Sequence, residues 1–558
     1  MNGNTLILIY CFGILMLLNT LEMIIKMYPF KILNKKKYIL LYINAFFYNV
    51  CIYAIPIILS DFLTIPFTIE KLTKLIFLII LFKFFERIFN IIWIMKGYSF
   101  IEYTKNNLYL SYFKRFSNMN ISKINNIHTG YLKKQLDIII DESGELLDGI
   151  MLTLNGFIIG ISLFLFQVFS QSKLMFLISI IFIIIIISYN VIITKKNIIF
   201  QSTYNEKTSK YNSTLVDFFQ NVKIVKNFDS LKYSIDTINK KFDNCKKPLK
   251  KVNLFKSLRF DGINGIISIM YIIILLNLLL KMKSGIDVFS YIVFYTFIFN
   301  QLSTELNDIA KLFIRYNKFK SANNQIEKLL VEEENQNKIT NWNNITLKNI
   351  EFKYNNEKNN IIKIPKFSID KKDKVSIVGE SGQGKSTFLS LFCRFYNIKD
   401  EDYLLDYEPT NKVPNVAYIS QETDLFDLTI KENLCLGKEI SNEFLNNYLN
   451  DAGLLEWINS LEKGLDTIVG EKGVKLSTGQ KQRLNIIRGI LLDKDIYILD
   501  EPTSNLDSIS ENKIYDMINK YLKDKTCIIV THRTKLTQIC NKHYYFENKV
   551  MIEENKLS

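Results

Sequence analysis

The first three hundred residues alternate long oily runs with basic turns, and the texture changes near residue 340. Stretches at about 5–25, 38–60, 72–95, 146–169, 172–193, 261–281 and 286–312 each reach the roughly 20 apolar residues that cross a bilayer as a helix. One contains "LISIIFIIIIISYNVII" (177–193), a run that no solvent-facing helix carries. Short connections (61–71, 170–171, 282–285) alternate with two long ones, 96–145 and 194–260. Lys and Arg gather in the long connections and in "KILNKKK" (31–37), which places these regions on the inner side of the membrane. Everything after about residue 313 then lies on that side too. The first stretch is interrupted by Glu22 and Lys26 and fits an interfacial helix as well as a span. The start "MNGNT" has no basic region, so no cleaved signal peptide is expected.

Both long connections keep apolar residues at three- and four-residue spacing, as in "ESGELLDGIMLTL" (142–154) and "DFFQNVKIVKNFDSLKYSIDTINKKFDN" (217–244). Membrane helices continuing into water, or an amphipathic pair packed on itself, would each give this pattern.

Beyond residue 340 the pattern predicts strands broken by turns. "ITLKNIEFKYN" (345–355) and "KVSIVG" (374–379) read as strands, and the second runs into Gly379-Glu380-Ser381-Gly382-Gln383-Gly384-Lys385-Ser386-Thr387 and the helix "FLSLFCRF". This is G-x-x-x-x-G-K-[ST] in its strand–loop–helix setting. Backbone N–H groups converge on phosphate at a helix N-terminus, Lys385 neutralises the β/γ oxygens, and Ser386 is placed to ligate Mg²⁺. The apolar run "IYILDE" (496–501) predicts a buried parallel strand that delivers Asp500 to the metal and Glu501 to the attacking water. "LSTGQKQRL" (476–484) opens another helix, where Ser477 and Gly479 offer donors suited to phosphate.

Composition adds limits. At 558 residues the chain is too long for one core. The formal charge of +15 would suit nucleic acid, but its excess Lys lies in loops between oily segments, so no nucleic-acid partner is expected. Seven scattered Cys without a CxxC pair indicate neither a disulfide framework nor a zinc site.

In this order the motifs resemble the nucleotide-binding domain of ATP-binding-cassette (ABC) transporters, and the first half resembles the family's six-span exporter layout with long inner loops after the second and fourth spans. The resemblance implies ATP and Mg²⁺ as cofactors and an ATPase coupled to movement of solutes across a membrane. "LSTGQKQRL" matches the signature motif, so Ser477, Gly479 and Gln480 would serve the ATP of a second chain, either another copy (a homodimer) or a sister half-transporter. Tyr354 resembles the aromatic that stacks on adenine, Gln421 in "YISQETDLF" the loop glutamine that touches magnesium, and His532 after "CIIV" the switch histidine at the γ-phosphate. Asp507 in "SNLD" resembles the acid of the dimer-contacting loop, and "TIVGEKG" (467–473) a stretch found in exporters. The metal set implied is Ser386, Gln421 and Asp500; the catalytic pair is Glu501 and His532.

The expected fold is an all-α polytopic membrane domain, a six-helix exporter core with an extra N-terminal helix, followed by an α/β P-loop nucleotide-binding domain. Its segments are 1–30 (extra hydrophobic segment), 31–320 (membrane domain with inner arms at 96–145 and 194–260), 321–340 (linker) and 341–558 (nucleotide-binding domain). Three departures stand out: Thr478 replaces the usual signature glycine, a backbone concern if that site needs an unusual conformation; the stretch from Thr387 to Gln421 is short, so the antiparallel sheet is expected to be trimmed; and the first span is additional.

For the cargo, "FNQLSTELNDIAKLF" (299–313) sets Gln301, Ser303 and Asn307 in an otherwise apolar span. This stretch and "VKIVKNFDS" (222–230) resemble the mitochondrial exporters linked to glutathione and iron–sulfur protein maturation, and Asn264 falls where they carry a polar residue. Glu305 stands where those exporters carry proline, and no Arg-rich transit sequence is visible. The expectation is a glutathione-linked or sulfur-containing small-molecule cargo in a mitochondrion-derived inner membrane. The alternatives are a lipid, peptide or drug exporter in a plasma membrane, and an ATP-gated regulator that transports nothing.

Overall fold

The computed structural model of the chain describes residues 35–63, 68–119, 123–124, 127, 129–282, 289–330, 338–339, 341–354, 361–421, 423–470 and 473–554. The expected segments 1–30 and 5–25 lie outside the described residues. The chain divides into two compact units, one of Met1–Asn118 with Ile127–Glu333 and one of Met119–Asn126 with Glu334–Ser558.

The first unit is helical. In chain order it comprises α1 (Lys35–Leu63), α2 (Ile69–Ile92), α3 (Tyr98–Ser117), α4 (Thr129–Gly149), α5 (Asn155–Gln171), α6 (Lys173–Gln220), the short α7 (Val222–Asn227), α8 (Leu231–Met282) and α9 (Phe289–Leu330). Single π-turns, Trp93–Gly97 and Ile150–Leu154, join α2 to α3 and α4 to α5 without a break. Among the described residues, four stretches are long and apolar enough to cross a membrane: Lys36–Ser60, Gly130–Gln171, Lys173–Gln220 and Leu231–Leu280. The expected span 72–95 and the described part of 286–312, from Phe289 on, are helical too, but α2 carries Lys74, Lys83, Glu86 and Arg87, and α9 carries Glu305, Asp308 and Lys311.

Across 194–260 the chain is helical and continuous with the apolar stretches on either side: α6 runs on to Gln220, α7 lies at the turn, and α8 starts at Leu231, the two long helices also packing on each other through Phe200–Phe255 and Tyr211–Phe242. Residues 321–330, read as the start of a linker, are instead the last turns of α9, where Ala322, Ile326 and Leu330 are buried. On α8 the buried positions Ile263, Ile267, Met270, Ile274 and Leu278 recur every three or four residues, the stripe that packs against a neighbour. Arg115 pairs with both carboxylate oxygens of Glu327 at 2.7 and 2.9 Å, fastening α3 to the end of α9, and Lys318 reaches Glu142 of α4 at 3.0 Å.

The second unit is α/β. Its order is β1 (Asn344–Lys353), β2 (Ile361–Asp370), β3 (Lys374–Val378), α10 (Lys385–Phe392), β4 (Tyr403–Leu405), β5 (Glu408–Pro409), β6 (Val416–Ile419), α11 (Ile430–Cys435), α12 (Asn442–Asp451), α13 (Leu455–Ser460), α14 (Thr478–Leu491), β7 (Ile496–Asp500), α15 (Ser508–Tyr521), β8 (Thr526–Val530), α16 (Thr534–Gln538), β9 (Lys542–Glu547) and β10 (Val550–Glu553). The ten strands among the described residues form one sheet in the order β5-β4-β1-β2-β10-β9-β3-β8-β7-β6. The run β9-β3-β8-β7-β6 is parallel, while β4 and β5, in the short stretch before Gln421, have only three and two residues.

β7 and β8 are buried on both faces, which is why they read as unbroken apolar runs. Ile496, Ile498, Ile528 and Val530 face the cluster of Phe367, Phe388 and Phe392, while Tyr497, Leu499, Cys527 and Ile529 face the cluster that takes in Ile487 and Ile514. Each such large side chain contributes about 1.5–3 kcal/mol on burial. That packing fixes the strand ends at which the polar residues of the next section stand.

Candidate functional site

β3, β7 and β8 end side by side, with Asp500 opposite Val530 in the parallel ladder. The C-terminal ends of neighbouring parallel strands are where open α/β sheets bind ligands. After β3 the chain turns through the loop 379–384 into α10, whose first N–H groups have no intrahelical acceptor. Two glycines make the loop possible. Gly384 has φ 117°, outside the reach of ordinary side chains, and a Cβ there would meet Ile362 at 3.0 Å. A Cβ on Gly379 would press on Phe546 at 3.0 Å.

Lys385 is buried at the start of α10 and folds back over the loop, donating to the carbonyls of Gly379 and, at 3.0 Å, Glu380. Its Nζ also lies 3.3 Å from His532 Nε2, just past the end of β8. Burial pulls the Lys385 ammonium below the usual lysine value, opposed by the Glu501 and Asp500 carboxylates. Asp500, buried at the end of β7, has its carboxyl pushed up mainly by burial. Tyr418 Oη donates to it at 3.3 Å, which works against that shift, as do Lys385 and Ser386. A buried carboxylate beside the Ser386 hydroxyl, with no salt bridge among the described residues, suits a divalent cation.

Glu501 follows at φ 48°, a left-handed conformation that costs a non-glycine residue about 1–3 kcal/mol. Gln421 Nε2 donates to its Oε2 at 2.9 Å, and His532 Nε2 lies 3.9 Å from its Oε1. Four separate segments thus present Lys385, Asp500 with Glu501, Gln421 and His532 to one place. Tyr354 Oη meets Thr387 Oγ1 at 2.9 Å, and its ring stands edge-on to Tyr396 at 5.5 Å and to Phe352 at 5.1 Å.

The helix α14 forms a separate element. Ser477 caps it in a reciprocal box: its Oγ accepts from the Gln480 N–H at 3.2 Å, and its N–H donates to Gln480 Oε1 at 2.9 Å. Among the described residues no hydrogen bond joins Ser477, Gly479 or Gln480 to residues 379–387. The backbone concern over Thr478 does not hold: it is the first residue of the helix and has no left-handed φ, so a side chain there is unstrained. Asp507 takes the N-cap position of α15.

Three residues at this end of the sheet escaped sequence reasoning: Tyr418, Tyr396 and Gln482. Gln482 is buried on the same face of α14 as Asn485, Ile486 and Gly489. A glutamine on an apolar stripe was the available signal.

In the membrane unit, Asn264 Oδ1 accepts from Ser303 Oγ at 2.5 Å and from Asn307 Nδ2 at 3.5 Å, joining α8 to α9. Gln301 does not belong to this cluster; its Nε2 donates to Glu305 Oε1 at 2.9 Å. Glu305 is buried where a Cβ on Gly156 of α5 would lie 2.2 Å from Oε1 and 2.9 Å from Asn49 Oδ1.

Two family profiles match the chain, "ABC transporter transmembrane region" over residues 38–306 and "ABC transporter" over residues 362–504. The chain belongs to the ABC transporter family. Its curated relatives include YgaD of Bacillus subtilis (strain 168), a protein named for multidrug export, which is 38% identical over 216 residues covering 38% of this chain and 37% of that one. The ATP-dependent lipid A-core flippase of Pseudoalteromonas translucida (strain TAC 125) is 36% identical over 218 residues, 38% of each chain. This ABC transporter therefore spans little more than a third of the length of the curated relatives it matches. A solved bacterial Atm1-family ABC exporter with ATP bound shares its fold, with a TM-score of 0.80 over 92% of this chain and 93% of that one at 19% identity.

Proposed function

We propose that this ABC transporter is one half of an exporter driven by ATP hydrolysis. The observation that carries this reading is the convergence of Lys385, Asp500, Glu501, Gln421 and His532 at the ends of β3, β6, β7 and β8. In this reading Tyr354 stacks on adenine, while Lys385 and the N–H groups of residues 379–387 hold the β- and γ-phosphates. Ser386, Asp500 and Gln421 hold Mg²⁺, which when bound neutralises charge on the phosphate oxygens. Glu501 accepts a proton from the water that attacks the γ-phosphorus, and the bond to the β–γ bridging oxygen breaks as ADP leaves. His532 donates to the γ-phosphate.

Ser477, Gly479 and Gln480 complete the site of a second chain, another copy in the simplest case, and Asp507 contacts that chain. ATP then favours the closed pair, and hydrolysis releases it. With the nucleotide-binding unit on the inner side, closure turns the membrane cavity outward.

For the cargo we favour a glutathione-linked or sulfur-containing solute, supported by the Asn264, Ser303 and Asn307 cluster, with Gln301 turned to Glu305 on a different side of α9. A lipid is the second reading. One relative is named as a lipid flippase, which supports it. The relatives named here are bacterial, which favours a plasma membrane over a mitochondrion-derived one.

The test is Mg-ATP hydrolysis by the full chain in lipid vesicles, with and without oxidised glutathione, with Glu501→Gln as blank. Stimulation absent from the blank supports the glutathione branch. Hydrolysis indifferent to glutathione moves the cargo to lipids, and none above the blank overturns the homodimeric ATPase reading.

A further inference from the structure

Gln482 is buried, and its side-chain amide is taken up by the segment that carries Glu501. Nε2 donates to the Glu501 carbonyl at 2.9 Å and to Ser504 Oγ at 3.4 Å, and Oε1 accepts from the Asn505 N–H at 3.3 Å. The Glu501 backbone has two other anchors: its N–H donates to Val530 at 2.9 Å, and its carbonyl accepts from the Ser504 N–H at 3.3 Å. A glutamate returns from φ 48° to the ordinary negative range unless contacts hold it, and that rotation would swing its carboxylate away from Gln421 and His532.

We propose that Gln482 is a positioning residue for ATP hydrolysis, locking the Glu501 backbone in its left-handed conformation and tying that conformation to the seating of α14. The proposal rests on the paired-site reading above. There the capped start of α14 lies on the partner's nucleotide, whereas Gln482, further along the same helix, grips the residue that activates water in its own site. Seating α14 on one ATP therefore reaches the water-activating glutamate of the other site through a single amide. Among the described residues Gln482 makes no hydrogen bond to 379–387, so its loss removes no phosphate contact. Leucine at 482 would leave the Asn505 N–H without its acceptor and the Glu501 carbonyl without its side-chain donor.

The test uses the full chain in vesicles. In Gln482→Leu, kcat is expected to fall about 100-fold, the effect of misplacing a reacting group by a fraction of its length. KM for Mg-ATP stays within about threefold, because ground-state binding is untouched. Gln482→Leu combined with Glu501→Gln should trap nucleotide in a closed pair as well as Glu501→Gln alone does. Gln482→Met, which fills the same space, is read in place of Gln482→Leu if the latter melts early, and should give the same split. A kcat within twofold of the parent, a KM rise that accounts for the whole loss, or failure of the double variant to trap nucleotide overturns the proposal. A parent chain that does not hydrolyse ATP instead overturns the hydrolase reading on which it rests.

Discussion

Gln421 donates its side-chain amide to the Glu501 carboxylate at 2.9 Å, joining the loop after β6 to the end of β7. Replacing the carboxylate with an amide in Glu501→Gln keeps the shape but removes the proton acceptor. Turnover is expected to fall by about 10²–10⁴-fold, with ATP affinity retained. Phosphate release and equilibrium nucleotide binding, measured on one preparation, check both halves.

Asp500 is a buried carboxylate whose ionised form burial disfavours. Because the folded state holds its proton more tightly than the unfolded chain, its contribution to stability is complete below the ordinary aspartate value and is lost as the pH rises through the folded value. Asp500→Asn is therefore expected to melt higher than the parent at neutral pH in chelator. The gap should narrow as the pH is lowered, and Mg²⁺-dependent nucleotide binding should disappear. Melting curves from pH 4 to 8 with chelator or Mg²⁺ would show it.

Gly384 occupies a backbone region closed to other residues, with Ile362 against its open side. Gly384→Ala should displace the phosphate loop at a cost of about 1–3 kcal/mol in nucleotide binding, roughly 5- to 150-fold in affinity. The melting temperature without nucleotide should move little. Titration with a fluorescent ATP analogue measures the first effect and a thermal scan the second.

Gly156 gives the Glu305 carboxylate its room between α5 and α9. Gly156→Ala should destabilise the membrane unit by about 1–3 kcal/mol through overpacking. Gly156→Ala/Glu305→Ala should recover much of the loss, which detergent melts of single and double variants would show.

The phosphate loop and the strand ending in Asp500 were legible because each is written in consecutive residues, with glycines where the backbone turns and an apolar run where both faces are covered. The continuous helices of the inner arms were legible only as one of two equal readings, since periodicity does not say what a helix packs against. Gln482 and Tyr418 were missed because their partners lie 19 and 82 residues away. Thr478 was misjudged for the opposite reason: the letter was compared with a pattern, whereas the first turn of a helix accepts any ordinary side chain. Gln301 and Ser303 are two residues apart, yet the helical rotation sends one to Glu305 and the other to Asn264.

The unbroken course of α6 and α8 has a mechanical consequence. At 1.5 Å per residue the 48 residues of α6 make a rod about 70 Å long, of which some 30 Å suffices for the hydrocarbon layer. The remainder is a lever arm. A tilt of about 5° at the outer end carries the inner tip about 6 Å, roughly one helical turn, without a backbone hydrogen bond breaking anywhere along it. Stiffness over that length lets a movement of a few ångströms on one side of the bilayer be felt on the other, and a glycine pair placed mid-arm would act as a slack joint.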